Sequence, residues 1–314
     1  MVPKTSASNK RVQKSKTPPQ KAPRVIRQQP RRLSKPVYRG PIPRVEGPKL
    51  DEFPYRGAAI DFRTLLSDPY AEGESHVFEV QMLGQSYALK IFKFYDDEDD
   101  DVGLWPSQKE IVSLDMLHAH RDPFYNECRA YGRLKETNLD GKVAVRCHGY
   151  TTLPATIEAE LEERFDIVGW DRDDYDEPMK KRAVFRAIVK DLVMDDLPLT
   201  ARVAKKMKRD LWLIRKQGIY PVDIKARNYK RGLLVDFSTA MTEPHYLFEI
   251  KPDWQVRMYK NEDLFAFDSM MEDEKVKTSL RAMPNSDYLR KLRSRDYLQK
   301  RYGWPRSPQV HLSA

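Results

Sequence analysis

Residues 218–240, GIYPVDIKARNYKRGLLVDFSTA, decide how the rest of the chain is read. An apolar run from Ile219 to Ile224 carries one acid, Asp223, followed by Lys225 and then Asn228. Lys230-Arg231-Gly232 marks a turn, and a second apolar run, Leu233-Leu234-Val235, ends in Asp236-Phe237-Ser238. The pattern is loop, short strand, tight turn, short strand, with polar groups where each apolar run breaks. Taken alone, it also fits a plain β-hairpin with surface charges.

Phosphoryl transfer needs such a set. One carboxylate accepts the incoming hydroxyl proton, a cation faces the transferring group, and an amide oxygen with a second carboxylate holds Mg²⁺ against the phosphates. Asp223, Lys225, Asn228 and Asp236 stand in that order along the chain. The stretch resembles the protein-kinase catalytic loop, D-x-K-x-x-N, followed by D-F-G. Pro221-Val222 stands where that family has His-Arg, and Ser238 replaces its glycine. The resemblance implies Asp223 and Lys225 as catalytic residues, Asn228 and Asp236 as metal ligands, and ATP with Mg²⁺ as cofactors.

Upstream, Tyr87-Ala-Leu-Lys-Ile-Phe92 predicts a strand with apolar residues on both faces, and Lys90 shares its face with Ala88 and Phe92. An ammonium there is costly unless paired. It matches the kinase V-A-I-K lysine, which holds nucleotide phosphates. The other reading is an edge-strand lysine reaching solvent. Tyr70 to Val80 reads as strand, turn and strand, with Gly73 the only glycine left of a G-x-G-x-x-G loop. In Pro123 to Leu134, Phe124, Cys128, Tyr131 and Leu134 recur at helical spacing, with Glu127 beside that stripe. In a kinase-like lobe Glu127 is the partner of Lys90; otherwise it is a surface acid on an amphipathic helix. The long gap between them predicts an inserted helix over Ser107 to His118. Val143 to Tyr150 and Ala183 to Val193 read as further strands, and the resemblance puts the adenine contact near Asp191 to Val193. Thr200 to Gln217 reads as a helix, with Val203, Met207, Leu211 and Ile214 on one face and Gly218 as its stop. Beyond Ala240, Asp263 to Met271 and Tyr288 to Tyr302 read as helical, with a loose tail from Pro305.

The expected fold class is α+β: a kinase-like two-lobe fold with an antiparallel N-lobe sheet and a reduced, mostly helical C-lobe. The N-lobe is expected over 51–193, with insertions at 95–121 and 154–182, and the C-lobe over 194–314. Residues 1–50 hold 14 Lys/Arg, one acid and nine of the 22 prolines. They predict a disordered basic tail, because so few large apolar residues cannot offset the ordering entropy. The tail is a candidate for non-specific DNA contact, or a solubilising segment with no fixed partner. No apolar run reaches the roughly 20 residues that span a bilayer, so no membrane partner is expected. Cys128 and Cys147, without a secretion signal, read as reduced core thiols.

A narrower resemblance rests on DPFYNECRAYGRLKE, VAVRCHGY and GIYPVDIKARNYKRGLLVDFSTA. These stretches are similar, in wording as well as spacing, to a fungal family of inner-kinetochore complex subunits. That resemblance implies a nuclear location and protein partners among kinetochore subunits. Two functions stay open at this level. One is a kinase-like scaffold, or pseudokinase that binds MgATP, suggested by the single glycine, the missing His-Arg and the short C-lobe. The other is an active phosphotransferase with Asp223 as its base.

Overall fold

The computed structural model describes residues 45–68, 73–95, 112–194 and 197–283. Its centre is a five-stranded antiparallel sheet of β1 (Asp61–Leu65), β2 (Ser75–Met82), β3 (Gln85–Phe92), β4 (Cys147–Leu153) and β5 (Phe185–Asp191), in the order β1-β2-β3-β5-β4. A two-residue turn joins β2 to β3. Its Leu83 and Gly84 both have positive φ, 53° and 76°, the conformation that matches the right-handed twist of the strands it connects. Strand alternation then sorts the side chains. Phe78, Val80, Met82, Tyr87, Leu89, Ile91, Phe185, Ala187 and Val189 form a core on one face, while Phe92 and Ile188 belong to a second core on the other. Lys90 and Lys190 lie on the second face, in register with Ile188 and Ala88.

Among the described residues six α-helices accompany the sheet: α1 (Leu114–Arg121), α2 (Pro123–Glu136), α3 (Ile157–Phe165), α4 (Ala201–Lys216), α5 (Tyr246–Ile250) and α6 (Asp253–Asp273). α2 starts where the sequence says a helix should: Asp122 caps it by accepting from Phe124 N at 2.9 Å, and Pro123 fills its first turn. Thr200 caps α4 by accepting from Val203 N, and Gly218 beyond its end has φ +72°. Met207, Leu211 and Ile214 of α4, Phe267 and Met271 of α6, and Phe124, Tyr131 and Leu134 of α2 share the second core. Short two-residue pairs complete the chain: β6 (Ile219–Tyr220) with β9 (Met241–Thr242), and β7 (Tyr229–Lys230) with β8 (Leu233–Leu234). Arg231 and Gly232 make the β7–β8 turn, both at positive φ.

Four expectations need adjusting. The first strand lies further upstream than expected, at Asp61–Leu65, and of the Tyr70–Val80 stretch residues 70–72 lie outside the described residues. The tail does not extend to residue 50: Leu50 is 2% exposed, and Arg129 Nη1 donates to Glu46 O at 2.9 Å. A proline-rich composition hides this, because a strap can be held through its backbone. Of the inserted helix expected over Ser107–His118, residues 107–111 lie outside the described residues, and α1 covers Leu114–Arg121. Finally, the acidic insertion at 154–182 closes the first core. Leu161, Ile167 and Trp170 are buried in it, and the Trp170 ring lies edge-on to Phe185 at 4.8 Å. Each such buried side chain is worth roughly 1.5–3 kcal/mol, so the sheet depends on this segment. The helix expected at Tyr288–Tyr302 and the loose tail expected from Pro305 lie outside the described residues.

Candidate functional site

β3 presents Lys90 to α2 rather than to solvent, and its side chain is 4% exposed. The ammonium lies 2.7 Å from Glu127 Oε2 and 2.6 Å from Asp236 Oδ1. Thus three residues spread along the chain meet at one point. Burial would depress the Lys90 ammonium, but Asp236 and Glu127 outweigh it and hold its pKa above the usual lysine value. Burial likewise pushes Asp236 up, while Lys90 and Lys190 pull it further down, well below the usual carboxylate range.

Lys190 is the residue that sequence reasoning missed. It reaches from β5 to the other oxygen of Glu127, and its ammonium donates to Val235 O at 2.7 Å. Glu127 is therefore held between two lysines, its side chain fully buried. Lys190 lies in the same kind of position that singled out Lys90, an ammonium on the apolar face of a central strand. That signal was legible in FRAIVKD.

α2 is fixed in the position that brings Glu127 here. Asn126 Nδ2 donates to Ser238 O at 3.0 Å. Arg129 donates to Thr242 O and Pro244 O as well as to the strap, and Arg133 donates to Gln217 O and Glu243 O at 3.1 and 3.0 Å. At Asp122, Arg186 supplies a buried counter-charge and His118 Nε2 lies 3.3 Å away.

The loop 221–228 is pinned by Ile224, 1% exposed in the core, and by the 3₁₀ turn Ala226–Asn228. Val235 N donates to Asn228 O at 2.9 Å, which sets the loop beside the residue preceding Asp236. Within the loop Asp223 is the centre. Lys225 Nζ lies 2.7 Å from its Oδ1, and Asn228 Nδ2 donates to its backbone oxygen at 2.8 Å and to Oδ2 at 3.1 Å. Lys225 is thus paired with Asp223, and its side chain is 53% exposed. Asp191, at the end of β5, accepts from His148 Nε2 at 2.6 Å, while Leu192 and Val193 are half-buried.

Gly73 is followed by Glu74, whose carboxyl is raised by burial, lowered by Lys90 and raised again by Asp236. A carboxylate thus enters the field of Lys90 and Asp236 next to the one glycine of the expected phosphate loop. For a magnesium ion, one or two carboxylates together with phosphates suffice; the structure ties Asn228 to the strand that ends at Asp236 through Val235 N, which donates to Asn228 O at 2.9 Å. Among the described residues no group of three or more His, Cys, Asp or Glu gathers as a metal site. Residues 69–72, which would carry the rest of a phosphate loop ahead of Gly73, lie outside the described residues.

The fold and this cluster define a mixed α/β protein whose sheet, helix α2 and paired short strands meet around buried opposite charges. Residues 39–241, about two thirds of the chain, match the family described as Kinetochore Sim4 complex subunit FTA2. The chain belongs to that family, and the matched segment holds the strap, the whole sheet, α2, α4 and the loop. A kinetochore complex subunit works with protein partners. None of the curated proteins compared matches the chain. Among the described residues no helix is long and apolar enough to cross a membrane.

Proposed function

We propose that the protein is a nuclear scaffold subunit of a kinetochore complex, built on a kinase-like two-lobe plan, whose cleft residues hold the fold together. One observation carries this reading. Buried Lys90, Lys190 and Glu127 and the part-exposed Asp236 form a set of two cations and two anions that is balanced without any ligand. Breaking such a set by removing one member costs about 3–5 kcal/mol, so its residues are retained for stability whether or not phosphate is transferred. The basic N-terminal tail adds non-specific contact to DNA phosphates.

A second reading is favoured by the convergence of Lys90, Glu127 and Asp236. In it the cleft takes MgATP, the source of the phosphoryl group. Asp236 and Asn228 would hold the metal, Lys90 aligned by Glu127 would face the phosphates, and Asp223 would receive the proton of a hydroxyl substrate. Lys225 must turn away from Asp223 to reach a phosphate.

Melting of the full chain with and without MgATP separates the two. A ligand at 100 times its Kd adds about 2.7 kcal/mol. The scaffold reading expects no shift at millimolar MgATP in wild type or Asp236→Asn. A rise in wild type that Asp236→Asn abolishes shows a nucleotide site and overturns the purely structural cleft, and an assay of phosphate transfer then separates a pseudokinase from the second reading.

A further inference from the structure

Away from the cleft, α4 carries seven Lys/Arg and one acid in its 16 residues. Its inner face, Ala204, Met207, Leu211 and Ile214, packs in the second core. On the outer face every exposed position but Ala201 is a cation: Arg202, Lys205, Arg209 and Lys216, with Lys208 half-buried among them. At about 3.6 residues per turn these five cations fall on one stripe, and at about 1.5 Å per residue the stripe is about 21 Å long.

The single acid of α4, Asp210, is buried and paired with Lys206 and Arg209 at 2.6 and 2.9 Å. Among the described residues Arg202, Lys205, Lys208 and Lys216 form no ion pair. Like charges three and four residues apart repel along a helix, and a face that meets only water ordinarily mixes both signs. A row of one sign on a rigid helix is the electrostatic footprint of a polyanion.

We infer that this stripe of α4 is a contact for the phosphate backbone of duplex DNA, separate from the N-terminal tail and blind to base sequence. A duplex carries one negative charge per about 1.7 Å of its axis, so about twelve charges run along a stripe of this length. No large apolar side chain of α4 is exposed, so the stripe lacks the apolar and aromatic anchors from which a protein partner draws its affinity. The chain's own segments outside the described residues fit it less well. Residues 1–44 carry 13 Lys/Arg and no acid, and residues 284–314 carry seven Lys/Arg and two acids, so both are repelled. The six acids at 96–101 follow directly on Tyr95, whose ring lies 6.0 Å from that of His118 on α1, the helix that leads into the start of α2. α4 meets α2 near its other end, roughly 15 Å along, where Arg133 donates to Gln217 O at the α4 C-cap at 3.1 Å. Asp195 and Asp196, also outside the described residues, precede the helix and stand nearest Arg202 in sequence; Lys205, Lys208 and Lys216 lie further along. The inference rests on the reading of the protein as a nuclear subunit, which puts DNA within reach, and on nothing in the charged cleft.

The test titrates a labelled DNA duplex with the full chain at several salt concentrations. Wild type is compared with Arg202→Gln/Lys205→Gln/Lys208→Gln/Lys216→Gln and with a control of equal charge loss at exposed positions elsewhere, Lys142→Gln/Arg146→Gln/Lys180→Gln/Lys181→Gln. The tail is present in all three chains, so differences between them belong to the folded body. Each phosphate contact contributes about −0.9 to the slope of log affinity against log salt, so the stripe variant should lose about 3 to 4 from the slope and at least about tenfold in affinity, and the control less than about 1 from the slope. Both variants should melt with wild type. Should the fourfold variant unfold, Lys205→Gln/Lys208→Gln should lose about half as much slope. No binding by wild type, equal losses in stripe and control variants, or no loss in either overturns the inference. So does a slope that steepens when the acids at 96–101 become Asn and Gln by as much as it flattens in the stripe variant, since that run then covers the stripe. Polyglutamate of equal charge bound as tightly as DNA, and lost in the stripe variant, points to an acidic protein and overturns it too. Co-purification of the stripe variant with kinetochore subunits is read separately: if it persists while the DNA slope is unmoved, the stripe is wrong and the scaffold stands.

Discussion

At the scale of single residues, Lys90 and Lys190 carry equal charge but different consequences. Lys90 touches both Glu127 and Asp236, whereas Lys190 touches Glu127 and a backbone oxygen. Lys190→Met leaves each carboxylate one touching cation and should destabilise by about 3 kcal/mol, while Lys90→Met removes the cation in contact with Asp236, whose 32% exposure lets water screen it in part, and should cost somewhat more. Urea unfolding of both variants and the double variant checks the order; equal losses would show that Asp236 draws its stability from elsewhere. His76 gives a second prediction. It is 2% exposed, and neither ring nitrogen has a hydrogen-bond partner. Burial, aided by Lys93, pushes its pKa down to about 4. The unfolded chain therefore takes up a proton near pH 6.5 that the folded chain refuses until about pH 4. Stability is present above pH 6.5 and is lost as pH falls through that window, by about 1.4 kcal/mol per pH unit for this one group. His76→Phe, which keeps a ring against Trp170, should reduce the pH slope of stability by one proton between pH 6 and 4.5. An unchanged slope would mean that His76 is protonated in the fold.

At the scale of elements, α2 is the part that must not move, and its sequence says so at one position. Gly132 lies inside the helix, where glycine costs about 1 kcal/mol relative to alanine. The strap explains it: a Cβ on Gly132 would lie 2.6 Å from the backbone carbon and oxygen of Lys49. Gly132→Ala should therefore destabilise by about 1–3 kcal/mol despite its better helix propensity, and hydrogen exchange at residues 45–50 should rise. Faster exchange elsewhere with a quiet strap would disprove that account. Other elements were open to periodicity. α2 and α4 follow their apolar stripes and caps, and the β7–β8 turn follows Lys230-Arg231-Gly232. β1 and the insertion over 154–182 were not. DFRTL alternates too weakly to announce a strand, and an acidic stretch gives little sign that its few apolar side chains, Trp170 above all, will fill a core.

At the scale of the whole molecule, charge is divided between a basic tail and a near-neutral body. Removing residues 1–44, which hold 13 Lys/Arg and no acid, should leave the melting temperature unchanged. It should also flatten the dependence of DNA affinity on salt, whose slope is about −0.9 per phosphate contacted. Titration of a DNA duplex by both chains at several salt concentrations checks this. If the shortened chain keeps the full slope, the contact belongs to the folded body.

What the sequence determined by itself is local: where helices begin and stop, which strand face each side chain takes, and that Lys90 needed a partner. Periods of two and 3.6 residues record the direction in which a side chain points. They do not record what lies opposite it. That Glu127 is shared by two lysines and that Gly132 receives the strap were decided by tertiary packing. Each needs two elements distant in sequence to come within a few ångströms, and no single stretch encodes that distance.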